Sequence, residues 1–243
     1  MDADAHDATL SRGNKGRRKL ATTFFVCCLT NGHGGFAEVG AAQTPMKVIA
    51  LGTSLTHSGG WLKPLEQQLT ECLDQSVNVL DFGRDGATSE WGVAILPEVV
   101  QAEPDVVLIE FSVNDAALFK GISLRKSQEN VRKIVLAVRK ARPLSRIFLM
   151  TMNPAFGPRA WIRPRMNAYY DAYRVLADEL GIGYIDNLRD WNNLPEAELR
   201  AHIPDGLHPE PKWAHHILVP GIVSAIGGTA GCETGTSLLP RIR

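Results

Sequence analysis

The sequence lacks most of the features that would place a chain in a specialised class. It has no run of about 18 apolar residues, the length a helix needs to cross the hydrocarbon core, so no integral membrane segment is indicated. It also lacks an excess of charge of either sign, since 26 Lys and Arg balance 26 Asp and Glu. Without a net positive field there is no electrostatic case for nucleic acid as a partner, and a small-molecule or neutral polymer substrate fits better. Cysteine is scarce: Cys27, Cys28, Cys72 and Cys232 are the four present, and they follow no zinc-ligand spacing. No metal is expected at His215 and His216 either, because neighbouring residues on a helix point in different directions. There is no internal repeat and no low-complexity linker, which leaves one folded domain.

What is present is a globular composition. The chain has 243 residues, 44% of them hydrophobic, enough for one sizeable core. The first 45 residues differ from the rest. Lys15, Arg17, Arg18 and Lys19 precede an apolar run at residues 20–29, and Gly40-Ala41-Ala42 supplies small residues. This resembles a bacterial secretory leader, and Arg17-Arg18 resembles a twin-arginine signal. Export to the periplasm or beyond is therefore one expectation. A cytoplasmic protein with a disordered N-terminal tail, or with its start placed too far upstream, is the other. Loss of a leader would remove Cys27 and Cys28. Cys72 and Cys232 would then either pair, as an exported protein allows, or remain two free thiols. The expected organisation is a leader or disordered segment at 1–45, a domain at 46–228 and a C-terminal tail at 229–243.

After Pro45 short apolar runs alternate with helical periodicity. Residues 47–51, 77–82, 106–111, 147–150 and 182–185 read as buried strands. Residues 61–73, 91–102, 123–141, 165–180 and 211–226 read as helices, with Pro97 weakening the second and Pro220 a kink in the last. Gly181 stops the fourth. Strands of four to six residues alternating with helices imply βαβ units and an α/β fold, a three-layer α/β/α sandwich on a flavodoxin-like parallel sheet of about five strands. In such sheets ligands bind beyond the carboxyl ends of the strands. Ser54, Gly86 and Asn114 each follow a strand, so all three should emerge on one rim.

Four segments on that rim carry chemistry. Gly52-Thr53-Ser54-Leu55-Thr56 places a serine in a strand-to-helix turn. It is not the Gly-x-Ser-x-Gly elbow, because Thr56 stands where that motif needs glycine. Asp81-Phe82-Gly83-Arg84-Asp85-Gly86-Ala87-Thr88 is a glycine-rich turn, and Ser112-Val113-Asn114-Asp115 follows the most apolar strand. Asp205-Gly206-Leu207-His208-Pro209 places a carboxylate three residues before a histidine. A serine hydroxyl becomes a useful nucleophile when an imidazole takes its proton and a carboxylate orients that imidazole.

In order and in residue type, these segments resemble the four sequence blocks of the SGNH hydrolases, the GDSL-like esterases and lipases. The departures are Thr53 for aspartate, Asp81 for asparagine and Ser112 for glycine. The resemblance implies a serine esterase acting on carboxylic ester bonds without a cofactor. Ser54 would be the nucleophile, His208 the general base and Asp205 its orienting carboxylate. The N–H groups of Ser54 and Gly86, with the side-chain amide of Asn114, would form the oxyanion hole. Asp115 reads as structural. His57 would sit beside the pocket, second to the reacting groups or exposed. The stretch 156–164 follows strand four, where Trp161 could meet a sugar face or acyl chain and Arg159 or Arg163 an anion. The expected substrates are short acyl esters, including O-acetyl groups on carbohydrate. Transfer of the acyl group to a sugar hydroxyl, or a non-catalytic carbohydrate-binding role on the same scaffold, are the alternatives.

Overall fold

The computed structural model describes residues 44–228 and Cys232. The leader expected at 1–45 lies outside the described residues but for its last two positions, and so does the tail expected at 229–243 but for Cys232. Five strands form one sheet: β1 (Met46–Gly52), β2 (Val77–Gly83), β3 (Val106–Ile109), β4 (Arg146–Met150) and β5 (Gly183–Ile185). All four pairings are parallel and the order is β2-β1-β3-β4-β5. This is the doubly wound, flavodoxin-like arrangement.

The strands are apolar on both faces because both faces are covered. Val48, Ala50, Leu108 and Phe148 point to one side, where Trp61, Leu65, Leu69, Trp191, Leu218 and Ile222 close over them. Ile49, Leu51, Val107, Ile109 and Leu149 point to the other, against Val131, Ile134, Val135, Val138, Tyr173 and Leu176. The long helices Leu62–Leu73 and Pro211–Gly227 belong to the first layer, and Leu124–Ala141 and Met166–Leu180 to the second.

The structure departs from the periodicity in three ways, each for a local reason. The helix expected at 91–102 is two helices, Ser89–Ala94 and Leu96–Gln101, meeting at Ile95. Pro97 has no N–H to continue the first and instead sits in the first turn of the second, where that donor is not needed. β3 stops at Ile109, not Phe111. Glu110 N–H still reaches Leu51 O at 3.0 Å, but Phe111 leaves the extended region (ψ −11°) and its N–H donates to Tyr173 Oη at 3.0 Å. Several one- and two-turn helices, such as Ser54–His57, Ser112–Asp115 and Gly157–Trp161, are too short to show a 3.6-residue period.

Cys72 and Cys232 form a disulfide, with Cα atoms 5.3 Å apart and a sequence separation of 160. The pairing alternative left open by the sequence is the one the structure contains. No helix among the described residues is long and apolar enough to cross a membrane. Cross-linking positions so distant in sequence restricts the unfolded chain, an effect usually worth about 2–4 kcal/mol. Reduction, or Cys72→Ser, is therefore expected to lower the unfolding free energy from urea denaturation by an amount in that range; an unchanged value would show that the bridge contributes nothing to stability.

Candidate active site

The turn after β1 is built around close backbone approach. Thr53 N-caps the one-turn helix Ser54–His57, its hydroxyl accepting from Leu55 N at 3.2 Å. Ser54 is the first residue of that helix, and first-turn N–H groups have no intrahelical acceptor. Trp61, fully buried, donates from Nε1 to Leu55 O at 2.8 Å and holds the turn from below. Behind it stands Glu110, at the carboxyl end of β3 and 1% exposed. Its Oε1 accepts from Thr53 N, from Thr53 Oγ1 at 2.9 Å and from Thr56 Oγ1 at 2.7 Å. Gly52 permits this, since a β-carbon there would overlap the carboxylate. Burial pushes the Glu110 carboxyl up, against the pull of the threonine hydrogen bonds, to about 7.

Ser54 Oγ lies 2.9 Å from His208 Nε2, and His208 Nδ1 lies 2.8 Å from Asp205 Oδ2. The chain separates Ser54 from His208 by 154 residues, and the fold places them in hydrogen-bond contact. The loop carrying Asp205 and His208 folds onto itself: Asp205 Oδ1 accepts from Leu207 N at 2.9 Å and His208 N at 2.6 Å. Gly206 adopts φ +79°, and a β-carbon there would come within 2.6 Å of Phe156 O. Only glycine lets this loop lie against the 156 segment, where Phe156 N donates to Gly206 O at 2.8 Å. Asn153 Nδ2 donates to Leu207 O at 2.7 Å from beneath. Partial burial would raise the Asp205 carboxyl, but the N–H groups of His208 and Leu207 and the imidazole outweigh it. They hold the group well below the usual carboxylate range. The stability linked to that depression is present above the ordinary carboxylate pKa and is lost as pH falls below it, so Asp205 stays anionic at neutral pH.

The donors expected on the rim are left at least partly open. Among the described residues neither Ser54 N–H nor Gly86 N–H has an acceptor. Gly86 takes φ +70°, a conformation that favours glycine. Asn114, 5% exposed, spends one amide hydrogen on Ala87 O at 2.9 Å and keeps the other. The glycine turn is tied down by Lys120, whose Nζ donates to Gly86 O at 2.7 Å. Asp115 is buried and anchors its turn to two helices, accepting from Ser89 N at 2.9 Å and Ser127 Oγ at 2.6 Å. Ser112 is accommodated with its hydroxyl toward Tyr169 O at 3.4 Å. His57 faces outward and bonds Asp81 Oδ2 through Nδ1 at 2.7 Å.

The two arginines of the 156–164 stretch differ in placement. Arg163 is 4% exposed, so it is not a free anion contact on the rim. Its guanidinium donates to Val113 O at 2.8 Å, Arg159 O at 3.0 Å and Asn114 Oδ1 at 3.4 Å. The last contact orients the amide so that its NH₂ end faces away from Arg163. Arg159 is half-exposed and pairs with Asp205 Oδ2 at 3.1 Å. Trp161 is on the rim and 75% exposed, with Leu118 and Phe119 each 67% exposed. Leu118 N donates to Ile162 O at 2.9 Å, tying these two apolar tips together.

Sequence reasoning missed Glu110, Lys120 and Asn153. Glu110 left one signal, a lone charge in the most apolar strand. Lys120 and Asn153 act through backbone carbonyls and left none.

A parallel sheet with a serine, an imidazole and a carboxylate in hydrogen-bonded succession at its carboxyl edge has the form of a nucleophilic hydrolase. The family model of the GDSL-like lipase/acylhydrolase family matches residues 50–213, and the chain belongs to that family. A GDSL esterase/lipase of Arabidopsis thaliana is 28% identical over 200 residues, 68% of this chain and 79% of that protein. Among solved structures, Axe2, an acetylxylan esterase from Geobacillus stearothermophilus, superposes with TM-score 0.66 at 21% identity, covering 78% of this chain and 97% of that one. A lipase/acylhydrolase from Enterococcus faecalis gives TM-score 0.64 at 24% identity, with 75% and 96% covered. These likenesses show a common SGNH hydrolase fold. The family membership makes the protein a carboxylic ester hydrolase.

Removing the Arg163 guanidinium would leave the buried Val113 carbonyl without its donor, and a lost partner of that kind costs about 1–3 kcal/mol. Arg163→Met is expected to destabilise the protein by that much in chemical denaturation. A rim arginine free in solvent would change stability by less than about 0.5 kcal/mol.

Proposed function

We propose that the enzyme hydrolyses short acyl esters, of the acetyl type and including those on carbohydrate, through an acyl-enzyme on Ser54. The observation that carries this reading is the line Ser54–His208–Asp205, with hydrogen-bond separations of 2.9 and 2.8 Å. Asp205 accepts from the Nδ1–H of His208, so the neutral ring presents a bare Nε2 to the serine hydroxyl. Ser54 Oγ attacks the acyl carbonyl as Nε2 takes its proton. The carbonyl oxygen becomes an oxyanion, bound by the N–H groups of Ser54 and Gly86 and the free amide hydrogen of Asn114. Collapse expels the alcohol, which receives the proton from His208. Water then attacks the acyl carbon as Nε2 takes its proton, and collapse breaks the bond to Ser54 Oγ, which recovers that proton from Nε2 as the acid leaves.

Exposure of the reacting groups favours water as the acceptor over a sugar hydroxyl, since the side chains of His208 and Asp205 are each 39% exposed. The exposed Trp161, Leu118 and Phe119 offer a flat apolar rim suited to a sugar face or a short acyl chain. Arg159, engaged with Asp205, braces that carboxylate beside the rim. The disulfide suits an oxidising compartment and so agrees with export.

Ser54→Ala is expected to abolish hydrolysis of p-nitrophenyl acetate, and Asn114→Ala to lower kcat about 10²–10³-fold, the usual cost of one oxyanion donor. Measured on an ester panel graded in acyl length and alcohol, kcat/KM should peak at acetyl. Undiminished activity in Ser54→Ala would refute the reading, and glycan binding without any turnover would point to a carbohydrate-binding protein.

A further inference from the structure

We propose that Glu110 is a positioning residue for the nucleophile: its carboxylate clamps the 53–56 turn and thereby sets the direction of both the hydroxyl and the N–H of Ser54. The inference rests on Ser54 being the nucleophile.

One carboxylate oxygen accepts from the backbone N–H of Thr53 and from the hydroxyls of Thr53 and Thr56, with a further contact from Thr53 Oγ1 to Oε2 at 3.2 Å. These donors lie immediately before Ser54 and two residues after it. Together they fix both ends of the turn that carries the serine. The arrangement has a cost, since a carboxylate is buried where, among the described residues, no cation contacts it. A turn that needed only a cap would be satisfied by the Thr53 hydroxyl alone, which already accepts from Leu55 N. Buried charges of this kind are kept where three or more donors use them.

The clamp is also sensitive to protonation. The ionised carboxylate accepts these bonds on both oxygens and more strongly than the neutral acid, which keeps only one oxygen as a pure acceptor. Burial brings that ionisation to about 7. The surrounding titratable groups do not oppose this. Asp115, on the Ser112–Asp115 turn, adds negative charge that favours the proton on Glu110. Tyr170 and Tyr173, on the Met166–Leu180 helix, are held neutral by burial, which pushes both phenols well above their usual range. Arg163 lies near Tyr170, on the Asn114 side. His57, on the turn itself, points outward to Asp81. Because the folded carboxyl titrates above its ordinary value, the folded state holds the extra proton between roughly pH 4.5 and 7. Stability linked to Glu110 is therefore greatest below that window and declines as pH rises through it, while the clamp tightens.

The test compares wild type, Glu110→Gln, Thr56→Val and Ser54→Ala in p-nitrophenyl acetate hydrolysis from pH 5 to 9, with thermal midpoints over the same range. Glu110→Gln should lower kcat at pH 8 at least tenfold with KM changed less than threefold, and its acid limb should lose one ionisation. The midpoint of wild type relative to this variant should fall from pH 5 to 7 and then level off. Thr56→Val removes one donor to the ionised form, so its acid limb should move to higher pH, which keeps the proposal open to refutation if the glutamine variant fails to fold. An unchanged kcat and pH profile in Glu110→Gln, or an unmoved limb in Thr56→Val, would overturn the clamp. Retained activity in Ser54→Ala would instead overturn the nucleophile assignment on which the clamp depends.

Discussion

Parallel pairing of β1 with both β2 and β3 is the constraint from which the site follows. β1 lies between β2 and β3, in register with β2 from Met46↔Val77 to Gly52↔Gly83 and with β3 up to Leu51↔Ile109. Three chain segments that are remote in sequence therefore end at one level, and their following turns emerge side by side. Ser54, Gly86 and Asn114 are carried by those three turns. The requirement is strict because a parallel strand shifted by one residue would exchange its two faces, and both faces here are packed against different helices. The apolar alternation of Val48, Ile49, Ala50 and Leu51 thus determines the level of the rim as well as the core.

The turns themselves are held by polar contacts directed inward. Glu110 supports the first, Lys120 the second, Arg163 and Asp115 the third, and Asn153 the loop of Asp205 and His208. Each contact goes to a backbone atom or to a side chain that does not itself react. Such groups restrict the conformations of a loop before substrate arrives, and preorganised donors are what make an oxyanion site effective. The departures from the family pattern are absorbed in the same way. Thr53 supplies both a helix cap and a ligand to Glu110, and Ser112 finds Tyr169 O. Both sit at positions that support a turn, so the residues proposed to react keep their surroundings.

Much of this was legible in the residues. The five strands, the long helices and their parallel arrangement follow from apolar runs and helical periods, because burial on one or both faces imposes those periods. The four segments with Ser54, Gly86, Asn114 and Asp205-His208 could be read because their chemistry is local, within a few residues of a strand end. Boundaries were less legible. Phe111 looks like strand but leaves it to meet Tyr173, and Pro97 divides one apparent helix into two. Arg163 looked like a surface cation in a basic loop and is buried beneath Asn114.

The sequence alone determined the alternation of elements, hence the fold class, and the residue types available at each strand end. It could do so because local patterning is set by burial and by turn chemistry, both of which act over a few residues. The tertiary structure alone decided the 2.9 Å contact between Ser54 and His208, the bond between Cys72 and Cys232, and the burial of Glu110 behind the serine turn. Those depend on where residues 54 to 160 positions apart are brought together, and that distance is set by the packing of the whole sheet and its helices.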